Sequence, residues 1–271
     1  MDEFLLLGKK DKRAYFESAA EKLNIMPQLI EKDFWVCWVL KALFSLKGIG
    51  EHLTFKGGTS LSKCYNVIKR FSEDIDISIE RLYLSKSKTI EPDKNASNKE
   101  NQKRLKELQL ICRNRIHEAI FPKLRNELAV AFSSEKGWNI DFASEDQSGQ
   151  TVLFTFPQIV ISNANNYIRP SVKIEFGARA NHWPVESIIV TPYIACISRE
   201  YKITGVPVRV LSANRTFWEK ATILHMLYHY PHDKNIPPRM SRHYYDLYAM
   251  AGSSICKSAL ENIALLKTNE N

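Results

Sequence analysis

The stretch from Phe55 to Ile79 changes its period twice within a few turns of chain, and that constrains the fold more than any other feature. Leu53-Thr54-Phe55 reads as a short strand, Gly57-Gly58 as a tight turn, and Ser60 to about Ile68 as a helix carrying Leu61, Tyr65 and Ile68. Asp74-Ile75-Asp76-Ile77-Ser78-Ile79 then alternates strictly. Successive side chains of a strand point to opposite faces, so the three isoleucines share one face and Asp74, Asp76 and Ser78 the other. The spacing predicts a half-buried strand with carboxylates on its open face.

The flanking chain supplies helices and further strands. From Lys12 to Leu46 apolar residues recur at helical spacing, with Pro27 placed to start a second helix whose inner face holds Ile30, Phe34, Trp38 and Ala42. Ser85 to Gln102 is polar and reads as a loop, and a helix is expected from Lys103 to Val130. Trp138 to Phe142 and Thr151 to Phe156 predict a hairpin around Ser148-Gly149, and Val172 to Phe176 alternates as another strand with Lys173 and Glu175 on its polar face. After Pro207 the pattern turns helical, with one stripe of Phe217, Ala221, Leu224 and Tyr228 and another of Tyr244, Leu247, Tyr248 and Ala251. The last residues, Thr268 to Asn271, are expected to fray.

Composition narrows the class. A chain of 271 residues with 44% apolar content can bury a full core. Thirty-eight Lys and Arg against thirty Asp and Glu give a formal charge of +8, which favours a polyanionic partner such as nucleotide or RNA, though solubility alone also accounts for it. The five cysteines, at 37, 64, 112, 196 and 256, show no paired spacing for a zinc knuckle or a disulfide framework, which fits a reducing cytoplasm. Acidic Asp2 and Glu3 stand where a signal peptide needs basic residues, and no segment approaches the length of a membrane span.

Nucleotidyl transfer needs donors around a triphosphate and carboxylates that hold a divalent cation against it. A strand that stops at Gly57-Gly58 and opens a helix through Thr59 and Ser60 can aim backbone N–H groups and a hydroxyl at phosphate oxygens. Asp74 and Asp76 lie about 6–7 Å apart along one face, within reach of a two-metal site. Glu175, on the polar face of a later strand, is the candidate third carboxylate. Taken singly, the glycines are equally an ordinary turn and the acids equally a solvated strand face. Their order along the chain is what makes the combination specific.

Phe55-Lys56-Gly57-Gly58-Thr59-Ser60-Leu61-Ser62-Lys63, followed by Arg70-Phe71-Ser72-Glu73-Asp74-Ile75-Asp76, closely resembles the AbiEii/AbiGii nucleotidyltransferase toxins of type IV toxin–antitoxin and phage abortive-infection systems. Ile30 to Val36, Lys173 to Phe176, Phe217 to Lys220 and Arg242 to Leu247 look like further landmarks in the family's order. The resemblance implies an α+β fold: a polymerase-β-like core with a small mixed sheet and flanking helices over residues 1–205, and a helical region over 206–271 closing on the nucleotide. It implies NTP as substrate with Mg²⁺ or Mn²⁺ held by Asp74 and Asp76, and phosphates at Gly57, Gly58 and Thr59. Lys220 and Asp246 match the family's later lysine and aspartate, Lys220 neutralising triphosphate charge and Asp246 orienting it or accepting the acceptor's proton. The implied acceptor is the tRNA 3′ end, and the implied partner a cognate antitoxin encoded nearby.

Two rival readings stand beside this one: an antibiotic-type nucleotidyltransferase with a small hydroxylated acceptor, and a binding module that grips nucleotide or RNA without turnover. His225, His229 and His232 fall at helical spacing that suits zinc, but Met226 stands where a metalloprotease needs its glutamate. The neighbouring Tyr228 and Tyr230 point instead to packing or a contact with a base.

Overall fold

The computed structural model describes residues 1–85, 92–93, 95–133, 136–161, 169–179, 182–197, 203–231 and 233–267. The chain opens with α1 (Asp2–Leu5), α2 (Lys9–Leu23) and α3 (Pro27–Ser45). Asn24 takes the left-handed conformation that closes α2, and Pro27 starts α3 with its φ already helical. All four residues expected on the inner face of α3 are buried, but so is nearly every other residue from Ile30 to Leu43. This helix is enclosed on all sides and packs on α2, on the sheet and on a later helix.

Next come β1 (Leu53–Lys56), α4 (Gly57–Lys63), β2 (Ile75–Ile79) and the short α5 (Arg81–Leu84). The helix after the glycines starts at Gly57 and ends at Lys63, earlier at both ends than its apolar spacing predicts. The expected loop runs only to Ser97, whose hydroxyl accepts from the Glu100 backbone N–H and caps α6 (Asn98–Arg115). Residues 86–91 and 94 of that loop lie outside the described residues. Instead of one continuous helix to Val130, a π-helical turn at Ile116–Ile120 leads into α7 (Phe121–Ala131). Pro122 cannot donate to the preceding turn, and the hydrogen-bond ladder resets there.

Strands β3 (Asn139–Phe142) and β4 (Thr151–Thr155) form the expected hairpin, and β5 (Ser171–Gly177) the expected alternating strand. Two further strands, β6 (Val185–Val190) and β7 (Val206–Leu211), complete a seven-stranded mixed sheet in the order β3-β4-β5-β2-β1-β7-β6. Residues after Pro207 are therefore not helical at first: Val206, Val208 and Val210 alternate inward, and Pro207 sits near the strand's start, where a missing N–H is tolerated. The division expected between 205 and 206 thus falls immediately before a strand of the sheet. The helices α8 (Ala213–Tyr228), α9 (Ser241–Ala251), α10 (Ser254–Glu261) and α11 (Ala264–Lys267) follow. They share a small apolar cluster of Phe217, Trp218, Met250 and Ala259 with Leu61 of α4 and with Ile68, separate from the main core.

α3 carries three charged residues into the interior, and each anchors a different segment. Glu31 accepts the backbone N–H groups of Ile159 and Val160 at 2.8 and 2.9 Å. Lys32 pairs with Glu73 at 2.6 Å and donates to the Arg169 carbonyl. Asp33 pairs with Lys63 at 2.6 Å and accepts from the Tyr193 N–H. A buried pair is costly to break because the survivor is left charged in a poor solvent. Lys63→Met should therefore lower the unfolding free energy by about 3–5 kcal/mol, and Asp33→Leu combined with Lys63→Met should lose markedly less, both read from urea denaturation.

Candidate active site

β2 lies at the middle of the sheet, antiparallel to β1 and parallel to β5. The register puts Lys56, Asp76 and Glu175 in one lateral row across the three strands. Neighbouring strands lie about 4.8 Å apart, so Asp76 has a carboxylate on one side and an ammonium on the other. The isoleucines at 75, 77 and 79 all face the core, as their alternation predicts. Glu175, expected from its strand's polar face, stands beside Asp76.

The turn is built around the same carboxylate. Gly57 has φ +76°, and a Cβ there would sit 1.9 Å from Asp76 Oδ2, so only glycine fits. A Cβ on Gly58 would come within 2.6 Å of the Arg70 guanidinium. The hydroxyls of Thr59 and Ser60 are buried and already engaged: Thr59 donates to the Asp74 carbonyl and is hydrogen-bonded to the Ser72 hydroxyl, and Ser60 donates to the Gly57 carbonyl at 2.8 Å. Both side chains thus tie the turn to the strand entry, which leaves backbone N–H groups as the turn's outward donors. Asp74 Oδ2 lies 3.5 Å from the Arg242 guanidinium, and Glu175 pairs with Lys173.

Lys220 and Asp246, far apart in sequence, meet at 2.8 Å. Asp246 is fully buried and also receives a bidentate pair from Arg70 at 2.7 and 2.8 Å. Burial works to raise its carboxyl, but the hydrogen bonds from Arg70 and the charge of Lys220 outweigh it and hold the group below its ordinary value. A carboxylate saturated by two cations is a weak proton acceptor, and here it holds both the Lys220 ammonium and the Arg70 guanidinium. The same contact sets the face that α9 buries: Asp246 and Met250 face inward and Leu247 packs beside them, while Tyr244 and Tyr248 stay exposed. Tyr228 is likewise exposed, at the end of α8. The rings of His225 and His229 meet edge to face on the outside of α8, and His232 lies outside the described residues.

Four contributors were not placed beside the carboxylates from sequence, although Lys69-Arg70-Phe71 and Arg239 to Tyr245 read there as basic, aromatic-interleaved stretches that suit an RNA acceptor or the capping of strands and helices. Lys56 shares the row with Asp76 and approaches Glu219 at 4.0 Å. Its signal was its place immediately before Gly57 on the Asp76 side of an alternating strand. Arg70 holds Asp246, a pairing that no local pattern reveals. His243 is half-buried near Lys220, and its imidazole is held below its usual value by burial and then by that ammonium. Arg242 faces Asp74.

Asp76 is pushed up to about 7, first by burial and then by Glu175 and Asp74, against the opposing pull of Lys56 and Lys220. Oxygen donors of this kind, with like charges crowded on rigid strands, suit a hard divalent cation such as Mg²⁺ or Mn²⁺. Among the described residues no three His, Cys, Asp or Glu side chains are gathered as a closed metal cluster, Asp74 and Glu175 being drawn towards Arg242 and Lys173.

A family model described as the nucleotidyl transferase AbiEii toxin of type IV toxin–antitoxin systems matches residues 38–270. The chain belongs to this family of nucleotidyltransferase toxins. Among solved structures, MenT4, a nucleotidyltransferase toxin from Mycobacterium tuberculosis H37Rv, is similar in fold with a TM-score of 0.50 and 19% identity. The match covers 97% of this chain and 70% of that one. A comparison with curated proteins finds none that matches. No described helix is long and apolar enough to cross a membrane.

The raised Asp76 carboxyl has a thermodynamic consequence. The folded protein holds this proton more tightly than the unfolded chain does, so stability falls as pH rises from about 4 to about 7 and the loss persists above that. With a chelator present, Asp76→Asn should remove that part of the decline and raise stability at pH 8 by about 1–3 kcal/mol. Melting temperature measured against pH for both proteins checks it.

Proposed function

We propose that this toxin transfers NMP from an NTP to the hydroxyl at the 3′ end of tRNA, using Mg²⁺ or Mn²⁺, and that its toxicity is arrest of translation. The observation that carries the reading is Asp76, packed against the Gly57 turn, its carboxyl raised by burial, by Glu175 in the same row and by Asp74, and answered by Lys56 and Lys220. Like charges at such spacing are destabilising, and a nucleotidyltransferase needs them there.

In this reading Asp74 and Asp76, with Glu175 beside them, hold the cation, which would neutralise charge developing on the entering and leaving oxygens. Gly57 makes room for the Asp76 carboxylate against the turn, and the N–H groups of Gly57, Gly58 and Thr59 turn toward the phosphates. Lys220, aimed by Asp246, meets negative charge on the triphosphate, and Lys56 adds a second cation on the same side. The helices from α8 onward form the wall that covers the nucleotide. A cognate antitoxin is the expected partner, and the cytoplasm, where NTP and tRNA are abundant, the expected setting. The net charge of +8 favours a polyanionic acceptor over a small neutral one.

Incubation with labelled NTPs and bulk tRNA tests the acceptor: label should enter RNA, and turnover that labels only small molecules or protein overturns this choice. Asp74→Ala and Asp76→Ala should each lower transfer by at least about a thousandfold, and both should abolish growth arrest on expression. Arrest that persists in both variants would favour a binding module, because removing negative charge should maintain or strengthen RNA contact.

Lys220→Ala should lower kcat/KM by about 10²–10³, while His229→Ala on the exposed side of α8 should change activity by no more than a few-fold. Steady-state kinetics with varied NTP separates them. Stoichiometric zinc lost on changing His229 would instead assign a metal role to that helix.

A further inference from the structure

Beside the carboxylates lies a cavity of about 560 Å³ that none of the roles above uses. Five cationic side chains from separate segments line it: Lys32 of α3, Arg169 and Lys173 at β5, and Arg239 and Arg242 at the start of α9. Three carboxylates share the lining, Asp74 among them, whereas Gly57, Gly58 and Lys220 do not. The cavity adjoins the site through Asp74, and neither the glycine turn nor Lys220 forms part of its wall. A reaction between two substrates needs a seat on each side of the reacting centre, and the turn and Lys220 already serve one of them.

The cations of this cavity are not all committed alike. Lys32 is buried and fixed by Glu73 and the Arg169 carbonyl. Lys173 and Arg242 are partly exposed, and their partners are two of the proposed metal ligands, Glu175 and Asp74. A divalent cation on those carboxylates competes for the same oxygens. Losing those partners, a lysine and an arginine would be left beside an open space, and the fork of an arginine matches a phosphate well. Arg239, also on the wall, holds φ at +68°, a conformation that a non-glycine residue adopts only when its surroundings impose it.

We propose that this cavity seats a phosphate group of the acceptor, and that metal binding makes it competent by releasing Arg242 and Lys173 from Asp74 and Glu175. The inference rests on the metal-dependent transfer reading above and adds an order to it: the cation loads first and the acceptor second. Linkage makes the coupling reciprocal, so metal must tighten the acceptor by the factor that the acceptor tightens metal.

The test is binding rather than turnover. Mn²⁺ affinity, read from the free-ion electron paramagnetic resonance signal, is compared between wild type and the Lys173→Gln/Arg242→Gln double variant. Both positions are at the surface, and circular dichroism verifies the fold. Affinity for a short single-stranded oligoribonucleotide is then measured with and without Mn²⁺, in the absence of NTP. The variant should bind Mn²⁺ about three- to tenfold tighter, as expected for removing two competing partly exposed ion pairs. In wild type, saturating Mn²⁺ should tighten the oligoribonucleotide several-fold, and the variant should lose that gain. Unchanged or weaker Mn²⁺ binding in the variant overturns the proposal, as does RNA affinity indifferent to Mn²⁺ in wild type or a gain that survives in the variant. Asp76→Ala separates the two levels. If it leaves Mn²⁺ affinity intact, the carboxylate metal site itself fails; if it abolishes binding while the double variant behaves as wild type, only the release mechanism fails.

Discussion

Asp76 and Glu175 sit side by side on neighbouring parallel strands, and the rest of the site is arranged around the repulsion between them. Neither can move away: Asp76 is fixed by the register of β2 between β1 and β5, and its backbone is locked by isoleucines buried on the opposite face. The protein offsets the crowding with cations from four different elements: Lys56 on β1, Lys173 on β5, Lys220 on α8 and Arg242 on α9. The offset is incomplete, as the raised carboxyl of Asp76 records. In the proposed reading, a divalent cation held there would relieve that repulsion.

The scaffold serves that arrangement by bringing polar groups into the interior on fixed supports. α3 looks at first like the apolar spine of the core, yet its Glu31, Lys32 and Asp33 reach the chain before β5, the entry to β2 and the end of α4. Each of these contacts crosses a long sequence separation, and the Asp33–Lys63 pair is nearly dry. Thr59 does the same at short range by holding the Ser72–Asp74 segment against the turn. Together they place the glycine turn within van der Waals distance of Asp76, where a methyl group would collide.

Apolar periodicity was a good guide where the sheet makes the decision and a poor one where ion pairing does. On β2 and β5 it gave the right face, because strand pairing fixes alternation and a one-residue slip would bury the acids. On α9 the stripe it marked includes Tyr244 and Tyr248, which stay exposed, whereas the structure turns Asp246 inward to meet Arg70 and Lys220. The helix obeys the stronger interaction, since a carboxylate held by two cations outweighs the burial of two tyrosine rings that can remain wet at the hydroxyl. Strand β7 escaped for a related reason: its alternating valines were legible, but Pro207 was read as a boundary when its position near a strand start made it harmless.

The sequence by itself determined the local frame of this toxin: the strand, glycine turn, helix and carboxylate strand, and through them the family and the candidate metal ligands Asp74 and Asp76. These are readable because their meaning lies in backbone conformation and in a period of two, both set within a few residues. Only the tertiary structure decided which charges answer those carboxylates. Lys56 beside Asp76, Arg70 and Lys220 on Asp246, and Arg242 opposite Asp74 are contacts between segments as much as 176 residues apart. Coulomb attraction depends on distance in space, and that distance is defined only once the sheet has ordered its strands and the C-terminal helices have packed against α4.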